Sequence, residues 1–164
     1  MTGAVARTDP EEWKVVDGLY PALRRFAAAA APSDMEPDDL LHDALVRVLR
    51  RRPLSDLDNP AAYLRRTITN LATSHYRAMG ARRRALRRVA ASTEPLAGVE
   101  YPSDLAQLSA LPPLERAALY LAEIEGYQFR EIGGMLGCGE AAARKRASRA
   151  RARLRLAIAR EALQ

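Results

Sequence analysis

The feature that most constrains this chain is the stretch over residues 129–156, FREIGGMLGCGEAAARKRASRARARLRL. Three apolar side chains in its first part recur at helical spacing and predict one buried face: Ile132, Met135 and Leu136. Gly137 tolerates a left-handed backbone, so the first helix can end there. Glu140 then places a negative charge where a second helix begins. The stretch therefore predicts two helices joined by a tight turn.

The second helix of this pair carries an apolar seam that starts with small residues: Ala143, Ala147, Ala150, Leu154 and Ile158. Alanines at the start of the seam allow two helix axes to approach closely. A short-turn helix pair of this kind is typical of helix-turn-helix DNA readers.

The opposite face of the second helix suits contact with DNA. It presents Lys145, Ser148 and Arg149, with Arg144 on its flank and Arg146 among the arginines around it. Residues 137–164 contain eight basic and two acidic groups. Such a helix fits phosphate contacts, and arginine can also read guanine edges in the major groove. The alternative is a solvated arginine face on an ordinary amphipathic helix. DNA contact is favoured because turn, seam and charge agree.

Composition points to a helical protein with a polyanionic partner. Hydrophobic residues make up 48% of the 164 residues but aromatic residues only 5%, so the cores must be mostly aliphatic. Alanine, leucine and arginine dominate, which favours an all-α fold. The net charge is +6, and residues 77–88 add a second basic segment of six arginines and no acid. The two basic segments suggest two contacts with nucleic acid.

Other sequence features exclude several classes of protein. A single cysteine, Cys138, rules out an internal disulfide. The N-terminus lacks a signal-peptide pattern, and no window approaches a membrane span, so we expect a soluble cytoplasmic protein. No nucleophile–base motif, phosphate-binding glycine loop or metal-ligand spacing is evident. We therefore expect neither an enzyme nor a bound cofactor or metal.

The first helix is expected from Glu11 to about Ala31, after a loose tail over residues 1–10. Pro21 lies inside this segment and is expected to kink or divide the helix. Its buried face is predicted to contain Trp13, Val16, Tyr20, Leu23 and Phe26.

The second helix is predicted to open at Pro37, with a strong apolar stripe over residues 40–49. Its outer face carries Asp39, His42, Asp43 and Arg47. This cluster could be interpreted as a metal site. Because only one histidine is present and no ligand from elsewhere is evident, we favour a solvated or partner-facing side.

The third helix is predicted to start at Pro60, with Asn59 as its N-cap. Its buried face should hold Leu64, Ile68, Leu71, Ala72 and Met79. A polar stripe without acids runs along another face: Arg66, Thr69, Asn70, Thr73 and Arg77. The stripe is either a hydrated helix side or a nucleic-acid contact, and the arginine run that follows favours the contact.

The domain organisation follows from residues 89–104, which lose helical periodicity and contain Pro95, Gly98 and Pro102. We expect a flexible linker there, between a helical domain over residues 11–88 and a second one over residues 105–164. The second domain should open with a helix after Leu111-Pro112-Pro113 that ends at Gly126. The inward face of this helix should hold Leu114, Ala118, Leu121 and Ile124.

Three segments resemble bacterial extracytoplasmic-function sigma factors. Residues 111–155, from LPPLERAAL to RARLR, resemble the C-terminal domain of that family. DDLLHDALVRVL, residues 38–49, resembles its polymerase-binding helix, and NPAAYLRRTITNLATSHYRA, residues 59–78, resembles its promoter-melting helix. The resemblance extends over roughly residues 15–160, in the family's order and spacing.

The resemblance implies that the chain binds core RNA polymerase and promoter DNA, with an anti-sigma factor as a further candidate partner. It places polymerase docking on Asp39, His42, Asp43 and Arg47. It places recognition and melting of the minus-ten element on Leu54, Asp56, Asn59, Arg66, Thr69, Asn70, Thr73 and Arg77. It places recognition of the minus-thirty-five element on Arg144, Lys145, Arg146, Ser148 and Arg149.

Two other interpretations remain open. A helix-turn-helix regulator with its own sensing domain would bind duplex DNA without polymerase, although it leaves the match at residues 38–49 unexplained. A protein that binds polymerase or an anti-sigma factor without starting transcription would carry the same docking helix.

Overall fold

The computed structural model describes residues 10–89, 108 and 111–162, and these residues form helices and turns without a strand. The predicted all-α fold is confirmed. The elements are α1 (Pro10–Ala30), α2 (Pro37–Leu49), a 3-10 turn (Leu54–Asp56), α3 (Pro60–Val89), α4 (Pro113–Glu123), α5 (Phe129–Leu136) and α6 (Glu140–Glu161). The predicted tail over residues 1–10 and linker over 89–104 lie outside the described residues, except for Pro10 and Val89.

Helices α1, α2 and α3 pack against one another and form the first helical group. The predicted stripes of α2 and α3 are buried around Leu40, Leu41, Leu64 and Ile68, each with at most 1% of its surface exposed. Asn59 caps α3 as predicted, because its Oδ1 accepts a hydrogen bond of 2.9 Å from the N–H of Ala62. These contacts fix the orientation of α3 relative to α2.

Helix α1 differs from its predicted pattern in two respects. Pro21 lies inside a helix that continues to Ala30, so it does not divide the helix. Val16, Leu23 and Phe26 are buried, but Trp13 is 52% exposed and Tyr20 is 39% exposed. Tyr20 lies at the rim between α1 and α2, where its hydroxyl is 3.4 Å from Oδ1 of Asp38. Helical spacing predicts which residues share a face, but the extent of the neighbouring helices decides how much of that face is covered.

Helices α4, α5 and α6 form the second helical group. The alanine seam of α6 is confirmed, since Ala143, Ala147 and Ala150 are completely buried. The prediction for Ile124 is wrong, because this residue follows the last residue of α4 and is 71% exposed. Ile158 is 53% exposed, because α6 has 22 residues and extends beyond the shorter helices that cover its seam.

The two helical groups share one core, which joins side chains of α1–α3 to side chains of α4–α6. Arg116 of α4 is 5% exposed and donates hydrogen bonds to the carbonyl oxygens of Ala30 (3.0 Å) and Ala31 (2.8 Å). The last carbonyls of a helix have no partner within the helix. Arg116 therefore satisfies the C-terminus of α1 from the second group.

A buried ion pair also connects the two groups. Nη2 of Arg65 on α3 lies 2.7 Å from Oε2 of Glu125, and the two side chains are only 6% and 15% exposed. The Arg65 guanidinium lies 5.8 Å from the ring centroid of Phe26 and 5.6 Å from that of Tyr127. Contacts of this kind between a cation and an aromatic face are attractive. The pair thus ties α3 to the loop between α4 and α5.

Candidate nucleic-acid interface

The outer face of α6 is the most basic helix surface of the second group. Arg144, Lys145, Ser148 and Arg149 are exposed there, while the alanine seam on the other side of the helix is buried against α4 and α5. Arg146 is half-buried, and its Nη1 has no hydrogen-bond partner among the described residues. The structure therefore brings four of the five predicted residues onto one accessible surface and leaves Arg146 at its edge.

Two glycines shape the turn between α5 and α6, and a capping box stabilises the start of α5. Gly137 has φ 66°, the left-handed conformation that its sequence position predicts. A Cβ on Gly133 would lie 2.7 Å from the carbonyl oxygen of Cys138, so the turn requires glycine there as well. At the start of α5, Gln128 and Glu131 form a reciprocal capping box, a Q-x-x-E signal that sequence reasoning missed. The two glycines therefore permit the close turn between α5 and α6.

Ion pairs divide the cations of α6 into two sets. Arg144 pairs with Glu140 at 2.8 Å and lies 4.9 Å from the ring centroid of Phe129, while Arg153 pairs with Glu115 at 2.8 Å. Within the described chain, Lys145 and Arg149 have no acidic partner. The charges of Lys145 and Arg149 are therefore available to an external anion.

The outer face of α2 presents a second polar surface. Asp39, His42, Asp43 and Arg47 are all exposed, as the sequence predicts, and α2 buries its apolar stripe on the opposite side. No ion pair is found for any of the four among the residues that the structure describes. This part of the chain also contains no group of three or more His, Cys, Asp and Glu side chains that could hold a metal ion. The face therefore offers both signs of charge to a partner.

Family models match both helical groups. The model of sigma-70 region 2 matches residues 15–84, and the model of sigma-70 region 4 matches residues 105–154. The chain carries regions 2 and 4 of the sigma-70 family. Region 2 thus comprises α1 to most of α3, and region 4 contains the helix-turn-helix formed by α5 and α6. Sigma-70 factors bind core RNA polymerase and promoter DNA.

Comparison with individual proteins supports the fold. No protein of curated function matches the chain significantly. A solved structure of the sigma factor RpoE from Bartonella quintana, in complex with the anti-sigma factor NepR, is similar with a TM-score of 0.68. The match has 22% sequence identity and covers 92% of this chain and 98% of RpoE. At this identity, the similarity shows that the chain has the RpoE fold.

The predicted polar stripe of region 2 is only partly accessible. Arg66, Asn70 and Arg77 are exposed, and Thr73 is half-buried. Thr69 is 1% exposed and donates its hydroxyl to the carbonyl oxygen of Arg65 at 2.8 Å. Thr69 lies one helical turn after Arg65, on the side of α3 that region 4 covers, which explains its burial. The accessible part of the stripe is therefore Arg66, Asn70 and Arg77.

The loop between α2 and α3 is anchored in the core of region 2. Leu54 is completely buried, and its N–H donates a hydrogen bond of 2.8 Å to Oε1 of Glu12. Asp56 and Asn59 are exposed, although Oδ1 of Asn59 is used as the cap of α3. Of the predicted loop residues, Asp56 and Asn59 are therefore the exposed polar ones, and the side chain of Asp56 does not cap α3. Across the described helices of both regions, none is long and apolar enough to cross a membrane.

Proposed function

We propose that this protein is an alternative sigma factor of the extracytoplasmic-function type. It binds core RNA polymerase, directs it to particular promoters and helps to open the DNA. The observation that carries this proposal is that one chain presents two separate exposed faces, on α2 of region 2 and on α6 of region 4. A factor that joins polymerase to promoter DNA needs both.

The α2 face supports docking on polymerase. The apolar stripe of α2 is buried in the core, whereas Asp39, His42, Asp43 and Arg47 on its outer side are exposed. Asp39 and Asp43 lie there without a cationic partner among the described residues. Unpaired charges on a rigid helix can steer and orient a partner that carries the opposite charge.

The α6 face supports binding of the upstream promoter element. Lys145 and Arg149 project from the side opposite the buried seam, which is the side that a docked recognition helix turns to the major groove. The exposed residues Arg66, Asn70 and Arg77 of α3 support contact with the melted minus-ten element, because they combine cations for the backbone with an amide for a base edge.

The proposal extends to location and control. A factor that works with core polymerase acts in the cytoplasm. Regulation by an anti-sigma factor is proposed because RpoE, which has this fold, was determined in complex with one.

Run-off transcription with purified core polymerase on genomic fragments tests the proposal. A sigma factor yields discrete transcripts that depend on the chain, and Asp43→Arg should reduce them together with core binding. Lys14→Ala, which changes an exposed residue of α1, serves as the control. Duplex binding without any effect of core polymerase would identify a separate regulator. Core binding without transcripts on any fragment would identify a protein that does not start transcription.

A further inference from the structure

The C-terminal end of α3 extends beyond the core of region 2. The helix has 30 residues, and all residues from Ala81 to Arg88 are exposed, so this end is uncovered around its whole circumference. Leu86 continues the helical spacing of the buried Ile68 and Ala72 but is 56% exposed, because the neighbouring helices do not reach it. The family model of region 2 ends at residue 84, inside this stretch. Packing within region 2 therefore does not account for this end of the helix.

The charge of this end favours an external polyanion. Residues 77–88 hold six arginines and no acidic residue. Arg83 and Arg87, and likewise Arg84 and Arg88, are four positions apart, and like charges at that spacing destabilise a helix. Arg84 and Arg88 form no ion pair within residues 10–89, 108 and 111–162. An anionic partner alongside the helix would relieve the repulsion between these cations.

Arg84 and Arg88 continue the accessible polar stripe of α3. Steps of four or seven residues separate positions 66, 70, 77, 84 and 88, and such steps keep side chains on one side of a helix. The side chains at all five positions are exposed. At 1.5 Å per residue, the extended stripe is about 33 Å long, which equals about ten base pairs of DNA. The stripe is therefore longer than its part from Arg66 to Arg77, for which contact with the melted strand is proposed above.

The added part of the stripe suits the backbone of a duplex. Residues 77–88 contain no aromatic ring and no side-chain amide, so they offer cations but no group for stacking on a base. Surfaces that bind single strands combine cations with aromatic rings. A straight row of cations on a rigid helix matches the regularly spaced phosphates of double-stranded DNA instead.

We propose that the end of α3 binds the phosphate backbone of the double-stranded DNA that borders the melted segment. Arg84 and Arg88 contact the phosphates, and Arg77 lies where the duplex meets the single strand. The contact adds affinity without reading the sequence, because phosphates are the same at every base pair. This inference rests on the proposed function and deepens it, since it gives region 2 a duplex contact that is separate from α6.

Fluorescence anisotropy of a labelled forked DNA, titrated with the full chain, tests the proposal. The fork joins a single strand to a duplex of about eight base pairs, which exceeds the roughly five that residues 77–88 span. The bare single strand is the reference, and the duplex is placed at either end of it in turn. The parent should bind one of the two forks more tightly than the bare strand. Arg84→Ala and Arg88→Ala should each reduce this gain and leave binding of the bare strand unchanged.

Two variants serve as controls. Arg82→Ala removes an exposed arginine of the same helix end, but position 82 lies on a different side of the helix from positions 84 and 88. Arg149→Ala removes a cation from the exposed face of α6. Both variants should keep the parent's gain from the duplex.

Salt dependence measures the number of phosphate contacts. One contact with a duplex contributes about 0.9 to the slope of log affinity against log salt, which equals about 3.5-fold between 50 and 200 mM. The affinity of Arg88→Ala for the fork should therefore fall over that range by a factor about 3.5 times smaller than the parent's affinity does. Arg82→Ala should follow the parent.

Several outcomes would overturn the proposal. They are a parent chain that gains nothing from a duplex at either end, equal losses in Arg82→Ala and Arg88→Ala, or a gain that disappears in Arg149→Ala. Equal weakening of bare strand and fork in Arg88→Ala would assign the helix end to the single strand and would also overturn it. Absence of run-off transcripts, with a gain that still depends on Arg84 and Arg88, would refute the proposed function alone.

Discussion

Replacing Glu125 by alanine should weaken the contact between regions 2 and 4. The change leaves the Arg65 guanidinium without its carboxylate in a site where only 6% of the Arg65 side chain is exposed. Removing one partner of a buried ion pair typically costs about 3–5 kcal/mol, because an uncompensated charge remains. The rings of Phe26 and Tyr127 still face the guanidinium, which favours the lower end of that range. We therefore expect a loss of about 3 kcal/mol.

Urea unfolding followed by circular dichroism measures this loss, and small-angle scattering measures the separation of the two regions. If the regions separate, water reaches Arg65 and the loss in free energy of unfolding becomes smaller. The separation itself is then seen as a larger radius of gyration. Lys14→Ala is the control, because Lys14 and Glu11 form an ion pair that is 73% and 75% exposed. Pairs of that kind contribute about 0–1 kcal/mol.

Tyr120 provides a local probe of the same contact. Burial and, second, the nearby carboxylate of Glu125 raise the pKa of Tyr120 above its ordinary value of 10.0. In Glu125→Ala the carboxylate is gone, and the pKa of Tyr120 should fall toward 10.0 in an ultraviolet absorbance titration. Comparison with Tyr120→Phe assigns the part of the absorbance change that belongs to Tyr120. If Glu125→Ala unfolds like Lys14→Ala, keeps the parent's radius of gyration and leaves the pKa of Tyr120 unchanged, the reasoning about the buried pair is refuted.

Three further predictions follow from particular contacts. Gly133→Ala should destabilise the protein by about 1–3 kcal/mol, because the added Cβ would meet the carbonyl oxygen of Cys138. Gly134→Ala has open space around the added Cβ and should stabilise the protein by about 0.5–1 kcal/mol, so the two variants should shift the thermal midpoint in opposite directions. Arg149→Ala should cost about 1–3 kcal/mol on the preferred duplex if it reads a base, and equal weakening on all sequences would show a phosphate contact. Partial burial raises the pKa of Asp34, but its hydrogen bonds, above all with His75, outweigh burial and hold that pKa below 3.8. The free energy of unfolding should therefore fall as pH drops through the lowered pKa, and it should fall less steeply in His75→Ala.

The local structure of the helices could be predicted from sequence because its signals lie within a few residues of one another. Gly137 ends α5, Asn59 caps α3, and the alanines at positions 143, 147 and 150 form one buried seam. Each outcome depends on backbone conformation and helical periodicity, which neighbouring residues set. The exposed basic face of α6 and the exposed face of α2 follow for the same reason, since each lies opposite an apolar stripe.

Only the tertiary structure decided how the two regions cover each other. The sequence gives no sign that Arg65 pairs with Glu125, 60 positions away, or that Arg116 reaches the carbonyl oxygens at the end of α1. Thr69 shares a helix side with Arg65 and is buried for that reason, although its sequence context is polar. Ile124 is exposed, because it follows the last residue of α4 and none of the described helices covers it. Periodicity defines the faces of a helix, but contacts between residues distant in sequence determine which face remains open to a partner.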